Sequence, residues 1–148
     1  MKFLLLIFFK LIVISGIIGQ DLAPRDVPEK VRSAFESRYP DTYVYEWEYK
    51  RKSGFYEAEF MYKGIRHEAC FTDEGVWIAT EKELKKSDLP EAVLNALEKS
   101  AYGDWKVDEV TMHESEKIPV VYEIEVKKGK RELDLYFFPD GKLMQVKK

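Results

Sequence analysis

Tyr56-Glu57-Ala58-Glu59-Phe60, then Lys63-Gly64, then Ala69-Cys70-Phe71, then Asp73-Glu74-Gly75: this stretch decides the fold. Apolar and polar residues alternate on both sides of the Lys-Gly corner, and a glycine behind two acids ends the segment. That is the pattern of a β-hairpin running on into a third strand. It returns about 65 residues later as Tyr122-Glu123-Ile124-Glu125-Val126, Lys128-Gly129, Leu133-Asp134-Leu135-Tyr136-Phe137 and Pro139-Asp140-Gly141.

A helix signal precedes each hairpin. Asp26 is placed to cap the first helix, Pro28 fits its first turn, and Glu29 completes a capping box. Val27, Val31, Ala34, Phe35 and Tyr39 recur at helical spacing and give one apolar face, ended by Pro40. Asp88, Leu89, Pro90 and Glu91 repeat the device, followed by Val93, Ala96 and Leu97 and an end near Tyr102-Gly103. The offset from Val27-Pro28-Glu29 to Leu89-Pro90-Glu91 is 62 residues and persists at Ala34/Ala96 and Phe35/Leu97. Helix and hairpin matching in the same order predict an internal duplication.

Each helix leads into a strand, at 42–51 and 105–114, and each hairpin into a short last strand, at 76–80 and 142–147. Tyr43, Tyr45, Trp47 and Tyr49 alternate with polar neighbours and read as a core-facing aromatic row, with a stacking platform for sugars or peptides as the alternative. Residues 81–87 read as a charged connector, and 21–25 as a mobile polar lead-in. The predicted class is α+β: two tandem helix-plus-four-strand antiparallel meanders, at 20–82 and 83–148, in one compact unit. Helices cover one face of the sheet and the other stays open.

A two-residue turn at Lys63-Gly64 sets Tyr56 opposite Phe71, Ala58 opposite Ala69 and Phe60 opposite His67. The same rule at Lys128-Gly129 sets Ile124 opposite Leu133, Tyr122 opposite Leu135 and Val120 opposite Phe137. These are the buried sets. On the other face Glu59 meets Glu68, Glu125 meets Glu132 and Glu123 meets Asp134, with Glu57 beside Cys70. Like charges directly opposed cost a few tenths to ~1 kcal/mol per pair. The plain reading is a solvated strand face whose acids block edge aggregation. The functional reading is a partner site of Glu57, Glu59, Met61, Arg66, Glu68, Glu123, Glu125, Glu132, Asp134, Tyr136 and Phe138, suited to a basic protein or peptide. Calcium is the alternative occupant, although no loop of spaced Asp and Asn closed by a Glu is present.

Met1–Gly19 has the layout of a secretory signal: Lys2, the apolar run Phe3–Ile14 broken by Lys10, then Ser15, Gly16 and Gly19. Its apolar run is shorter than the ~20 residues of a membrane span. Without Lys2 and Lys10 the 24 basic residues fall to 22 against 27 acidic ones, a net charge of −5. An acidic surface disfavours nucleic acid as partner. The single cysteine, Cys70, forms no internal disulfide and reads as a small covered strand residue. His67 reads as a buried, hydrogen-bonded histidine. With only His67 and His113 in the chain, no nucleophile, base and orienter set and no metal-ligand spacing such as HExxH is found, which argues against a hydrolase.

Val27-Pro28-Glu29 with Ala34-Phe35 and Tyr39-Pro40, the strand around Trp47-Glu48, Tyr56–Phe60, Lys63-Gly64 and Asp73-Glu74-Gly75 together resemble the PepSY-like, β-lactamase-inhibitor-protein-like small proteins. The resemblance covers nearly all of the chain after the signal as two copies. The second departs from it at Ala101-Tyr102 and lacks a counterpart of Trp47. The resemblance implies a secreted or periplasmic α+β binding or inhibitory module, with no catalytic residues and no cofactor to carry over, and with peptidases or other cell-envelope proteins as partners.

Overall fold

The computed structural model of the chain describes residues 19–148, so all of the expected signal segment except Gly19 lies outside the described residues. Two α-helices, α1 (Glu29–Arg38) and α2 (Glu91–Lys99), accompany nine strands. These are β1 (Gly19–Leu22), β2 (Val44–Lys50), β3 (Phe55–Tyr62), β4 (Ile65–Phe71), β5 (Trp77–Leu84), β6 (Lys106–Ser115), β7 (Val121–Lys128), β8 (Arg131–Phe137) and β9 (Leu143–Lys147). The strands are hydrogen-bonded in chain order in one nine-stranded sheet, mostly antiparallel, and the class is α+β. In chain order α1 precedes β2–β5 and α2 precedes β6–β9, while β1 stands before both and all nine strands count as one sheet rather than two separate meanders. Contacts divide the chain into two units, one running to Phe60 and adding Ala69–Trp77, the other made of Met61–Glu68 and Ile78–Lys148.

In the first unit Val31 and Phe35, four residues apart, lie on one side of α1 and are buried, as is Val27 just ahead of the helix. The Phe35 ring centre lies 4.8 Å from Phe60, 5.6 Å from Trp47 and 6.3 Å from Phe71, edge to face in each case. Such pairs add about 0.5–1.5 kcal/mol beyond the area they bury. In the second unit Leu89, Val93 and Leu97 pack on Val110, Ile124, Val126, Leu135 and Phe137. Each of these aliphatic side chains contributes roughly 1.5–3 kcal/mol through burial.

The helix starts differ from expectation. Pro28 and Pro90, in extended conformation, stand at the N-cap positions and offer no side-chain cap. Asp26 closes a 3-10 turn over Pro24–Asp26, two residues too early to reach the helix, and the Asp88 carboxylate accepts instead from the Lys85 backbone N–H at 2.9 Å. Residues 21–25 are not simply a lead-in, since Asp21 and Leu22 pair with Glu48 and Trp47. Nor is 81–87 only a connector: Glu81–Leu84 continue β5 and pair with His113–Val110 of β6. Charged residues hold that strand through cross-strand partners such as Lys82 with Glu114 at 2.9 Å.

The register around the first hairpin corner has the expected two-residue loop, with Lys63 at φ 51° and Gly64 at φ 78°, the paired positive values of a type I′ turn. In the second hairpin the loop is Gly129-Lys130, with the glycine at φ 62° in the first central position. Every partner therefore moves by two residues: Tyr122 meets Phe137, Ile124 meets Leu135 and Val126 meets Leu133. An even slip preserves the faces. The aromatic row does not survive, because the register of β2 shifts between Val44 and Glu46 and leaves Tyr45 without a ladder partner. Trp47 turns inward opposite Ala58 and Tyr49 meets Tyr56, while Tyr43 is 81% exposed and Tyr45 46%. A bulge inserts one residue and reverses the alternation on one side of it. β6 carries the same irregularity between Val107 and Glu109, at Asp108.

Two glycines bring the third strand of each hairpin segment back to its helix. A Cβ on Gly75 would lie 2.5 Å from the Lys30 carbonyl oxygen, and one on Gly141 would lie 2.4 Å from that of Ala92. Both have φ near +80°. Gly141→Ala and Gly75→Ala are each expected to cost about 2–4 kcal/mol, combining left-handed strain with a backbone clash. Denaturant midpoints measure this. A loss of less than about 0.5 kcal/mol at both sites would show that the helices do not seat where described.

Candidate functional site

On the sheet face opposite α2, Glu123 is the best-buried acid of the second unit. Its Oε2 accepts from His113 Nε2 at 2.6 Å and its Oε1 from the Tyr136 hydroxyl at 2.7 Å. Glu81 Oε1 lies 3.3 Å from His113 Nδ1, close enough for charge attraction but off the axis of a hydrogen bond. The ladder explains the grouping: His113 pairs with Glu81 on one side, and Tyr136 pairs with Glu123. Burial alone would make His113 neutral, but its hydrogen bond to Glu123 and the charges of Glu123 and Glu81 outweigh it and hold its pKa up at about 9. Glu123 is also pulled down: burial opposes its charge, and His113 and Tyr136 overcome that. Tyr136 is pushed far above an ordinary phenol, by burial first and then by its bond to Glu123. Lys147 lies over the Tyr136 ring, 4.5 Å from its centre.

The first unit has a matching arrangement. Glu57, 3% exposed, receives Lys50 Nζ at 2.7 Å and the Cys70 thiol at 3.4 Å. Lys50 also binds Glu48, the ladder partner of Glu57. Its pKa rises because hydrogen bonds to Glu48 and Glu57 outweigh the largest single effect, burial, which lowers it. Lys50 stands two residues beyond the partner of Glu57, as His113 stands two beyond Thr111, the partner of Glu123. In both units, then, a covered carboxylate is matched by a cation from the strand before it and an O–H or S–H from the strand after it.

This changes the expected partner site. Glu57 and Tyr136, at 3% and 2% exposure, and Glu123, at 12% for its side chain, are closed to a partner and serve the interior. The face is not a uniformly open acidic sheet, since Val121 and His113 are buried on it too. Of the rest, Glu59, Glu68, Glu125, Asp134 and Phe138 are half-buried, while Met61, Arg66 and Glu132 are exposed. Like-charge opposition is present at Glu46 with Glu59 and Glu48 with Glu57, and in the second unit at Glu109 with Glu125 and Glu125 with Asp134; the expected Glu125–Glu132 and Glu123–Asp134 pairs are replaced, since Glu123 meets Tyr136. Burial and the neighbouring Glu123, Glu125 and Glu132 raise Asp134, and burial followed by Glu125 raises Glu109. Lys127 offsets part of this, at 2.7 Å from Asp108, 2.8 Å from Glu125 and 3.2 Å from Glu132. Arg66 reaches Glu68 at 3.0 Å.

The histidines separate cleanly. His67 is 4% exposed, its Nδ1–H donates to the Ile65 carbonyl at 2.8 Å, and burial lowers its pKa so that it stays neutral. Cys70 is buried, as expected. For a cation, the carboxylate oxygens of Asp21, Glu46 and Glu48 come within 4.8 Å of one another. Glu46 and Glu48 are legible in the sequence as additions to the acidic face, and Lys50 as a cation offsetting it. Asp21, Glu81 and His113 are not legible as members of polar clusters: Asp21 and Glu81 lie in segments that read as loops, and His113 meets its partners only across the ladder.

Comparison with known proteins supplies a frame. The profile of the family described as beta-lactamase-inhibitor-like, PepSY-like matches residues 18–62 and 54–145. A DUF2874 family protein from Bacteroides ovatus ATCC 8483 is 29% identical, with a TM-score of 0.76 over 81% of this chain and 86% of that one. A BLIP-like protein from Bacteroides fragilis NCTC 9343 is 31% identical, TM-score 0.76, over 85% and 86%. A Bacteroides eggerthii DSM 20697 structure, provisionally described as a periplasmic protein, shares the fold at 23% identity and TM-score 0.76, over 82% and 88%. No curated protein matches the chain. Among the described residues no helix is long and apolar enough to cross a membrane.

The raised His113 makes stability depend on pH. Its charged form is favoured by folding, so its contribution is fully present below the unfolded value near 6.5 and is lost as pH rises through about 9. Between those limits the wild type is expected to lose on the order of 2–3 kcal/mol, and His113→Gln is expected to flatten that dependence. Thermal melts from pH 6 to 10 measure it. An equal alkaline loss in both proteins would remove the imidazolium from the account.

Proposed function

The chain belongs to the beta-lactamase-inhibitor-like, PepSY-like family, and on that ground we propose that it is a non-enzymatic extracytoplasmic binding module. It docks a protein or peptide of the cell envelope, and in doing so inhibits or regulates an envelope enzyme. The observation that carries this reading is the division of labour among the polar groups. The imidazole, carboxylate and phenol that lie within hydrogen-bond reach of one another, His113, Glu123 and Tyr136, are locked together in the interior. The accessible ones are carboxylates and exposed apolar side chains such as Met61, at 52% exposure, suited to contact rather than proton transfer. The signal-like layout of Met1–Gly19 and the provisional periplasmic description of the B. eggerthii neighbour support the location. We also read the chain as two tandem repeats, 20–82 and 83–148. The shared bulge, the paired Gly75 and Gly141, and the matching Lys50–Glu57 and His113–Glu123 centres support that reading.

A calcium response is the second reading, and it rests on the convergence of Asp21, Glu46 and Glu48. Calcium takes six to eight oxygens, which three carboxylates approach only with water completing the shell. A melting temperature unchanged between millimolar calcium and EDTA removes it.

The binding reading is tested by capture from periplasmic extract at low and high salt. The combined variant Glu59→Gln, Glu68→Gln, Glu125→Gln and Asp134→Asn leaves the interior centres intact and is expected to weaken capture about tenfold at low salt. Absence of any retained protein at either ionic strength defeats the module reading. Undiminished capture by the variant defeats the part given to these acids.

A further inference from the structure

The second strands of the two halves carry the same bulge but fill it differently. In β6 and β7 the register runs from Val107–Val126 to Glu109–Glu125, with Asp108 as the inserted residue. Lys106 at 2.9 Å and Lys127 at 2.7 Å both bind Asp108 and draw its carboxyl down to about 2. Lys127 also serves Glu125 at 2.8 Å. The polar groups at this bulge are matched from within the chain.

In β2 and β3 the corresponding register runs from Val44–Phe60 to Glu46–Glu59, with Tyr45 inserted. Tyr43 stands where β6 has Lys106, and Tyr45 where it has Asp108. Both rings are turned out, at 81% and 46% exposure. Beside them Glu46 shares a 4.8 Å cluster of carboxylate oxygens with Asp21 and Glu48. Among the described residues Asp21 and Glu46 form no ion pair, and Lys50, which holds Glu48, is already shared with Glu57. Burial raises the Glu46 pKa, and repulsion from Glu59, Asp21 and Glu48 raises it further, against a smaller opposing effect of Lys50. This bulge therefore presents aromatic rings and surplus negative charge, where the other presents a closed ion network.

We propose that Tyr43 and Tyr45, with the carboxylates of Asp21, Glu46 and Glu48, form a docking patch for a basic peptide segment of a protein partner. Its Arg or Lys stems lie on the tyrosine rings and its cationic heads reach the acids. The proposal deepens the binding-module reading and rests on it. Charge complementarity selects this occupant: a cation supplies what Lys106 and Lys127 supply at the other bulge. Cations over aromatic rings are already a habit of this chain, with the Arg38 guanidinium 3.7 Å from the Trp77 ring centre and that of Arg131 5.1 Å from Trp105. Tyrosine suits the task because its flat ring gives contact area with few torsions to freeze, and its face attracts a cation. A metal ion alone would leave both rings uncovered. A second copy would bring surplus negative charge against surplus negative charge.

The test uses three labelled synthetic peptides of one length, with Arg and Lys, with Gln, or with Glu at alternate positions between glycines, and follows binding by fluorescence anisotropy and NMR. The basic peptide is expected to bind at low salt and to weaken at least about fivefold between about 50 and 300 mM salt. It should perturb the Tyr43 and Tyr45 resonances, while the Gln and Glu peptides do not bind. Tyr43→Ser with Tyr45→Ser is expected to weaken it about tenfold, and Asp21→Asn with Glu46→Gln to weaken it and flatten its salt dependence. Lys106→Gln with Asp108→Asn, at the other bulge, should leave it unchanged. Exposed sites keep these variants folded, and unchanged melting temperatures verify this. No binding of the basic peptide, equal binding of the Gln peptide, or binding indifferent to both patch variants overturns the proposal. So does a concentration-dependent dimer, seen by sedimentation, that the Tyr variant abolishes. These outcomes leave the module reading standing if extract capture succeeds, because that experiment does not alter the patch.

Discussion

A carboxylate taken almost wholly out of water must have its charge matched where it sits, since removal of the matching partner costs about 3–5 kcal/mol. Glu57 and Glu123 impose that condition on the sheet face turned away from the helices. Each sits in a central position of its hairpin, and each draws a cation from one neighbouring strand and an O–H or S–H from the other. The condition is directional. Lys50 reaches Glu57 because the ladder puts it one pleat beyond Glu48, and His113 reaches Glu123 by the same geometry past Thr111. A slip of one residue would bury the acid against the helix, and a slip of two would part it from its cation.

The helix side imposes a second condition. Ala58, Phe60, Ile124 and Val126 have essentially no exposed surface, and parity alone would let each hairpin slide by two residues without exposing them. The second hairpin makes use of that freedom: its corner sits at Gly129-Lys130 and its pairs are two residues from those a Lys128-Gly129 corner would give. What pins it is the polar face, where Tyr136 must stand opposite Glu123, and the glycine corner, where Gly141 must lie under the Ala92 carbonyl. Apolar alternation therefore chooses the face, while hydrogen-bonded charge and close backbone approach choose the register. Only the first is a property of residue classes.

That distinction accounts for what could be read from the chain. The helices, the hairpins and their order follow from periodicity, which residues carry individually, as do the inward sets around Phe35, Phe60, Ile124 and Leu135. The acid row was visible as residue types but not as partners. Whether Glu123 is a docking group or an interior one depends on His113 and Tyr136, residues 10 and 13 positions away, which meet it only once the register is known. Strict alternation through Val44–Glu46 turns Tyr43 and Tyr45 inward, but the chain bulges there, and a bulge leaves no mark in composition. The strand at Glu81–Leu84 escaped notice because its stabilising contacts are Lys82 with Glu114 and Glu81 with His113, pairs across the sheet rather than an apolar pattern along it.

The two bulges also separate stability from use. At the second, Lys106, Asp108 and Lys127 are largely solvated, so their attraction is screened and adds little to stability. Such a network is replaceable at little energetic cost by any polar residues. At the first, two tyrosines stand in the places of Lys106 and Asp108 and leave their rings in water. Neither gains the burial that makes an aromatic side chain worth its bulk, and neither answers the neighbouring acids. A soluble surface with nothing to contact loses nothing by carrying lysine there, whereas an interface gains from a rigid ring beside a surplus of charge. The half with ordinary surface chemistry is thus the reference against which the other half's exposed rings acquire meaning.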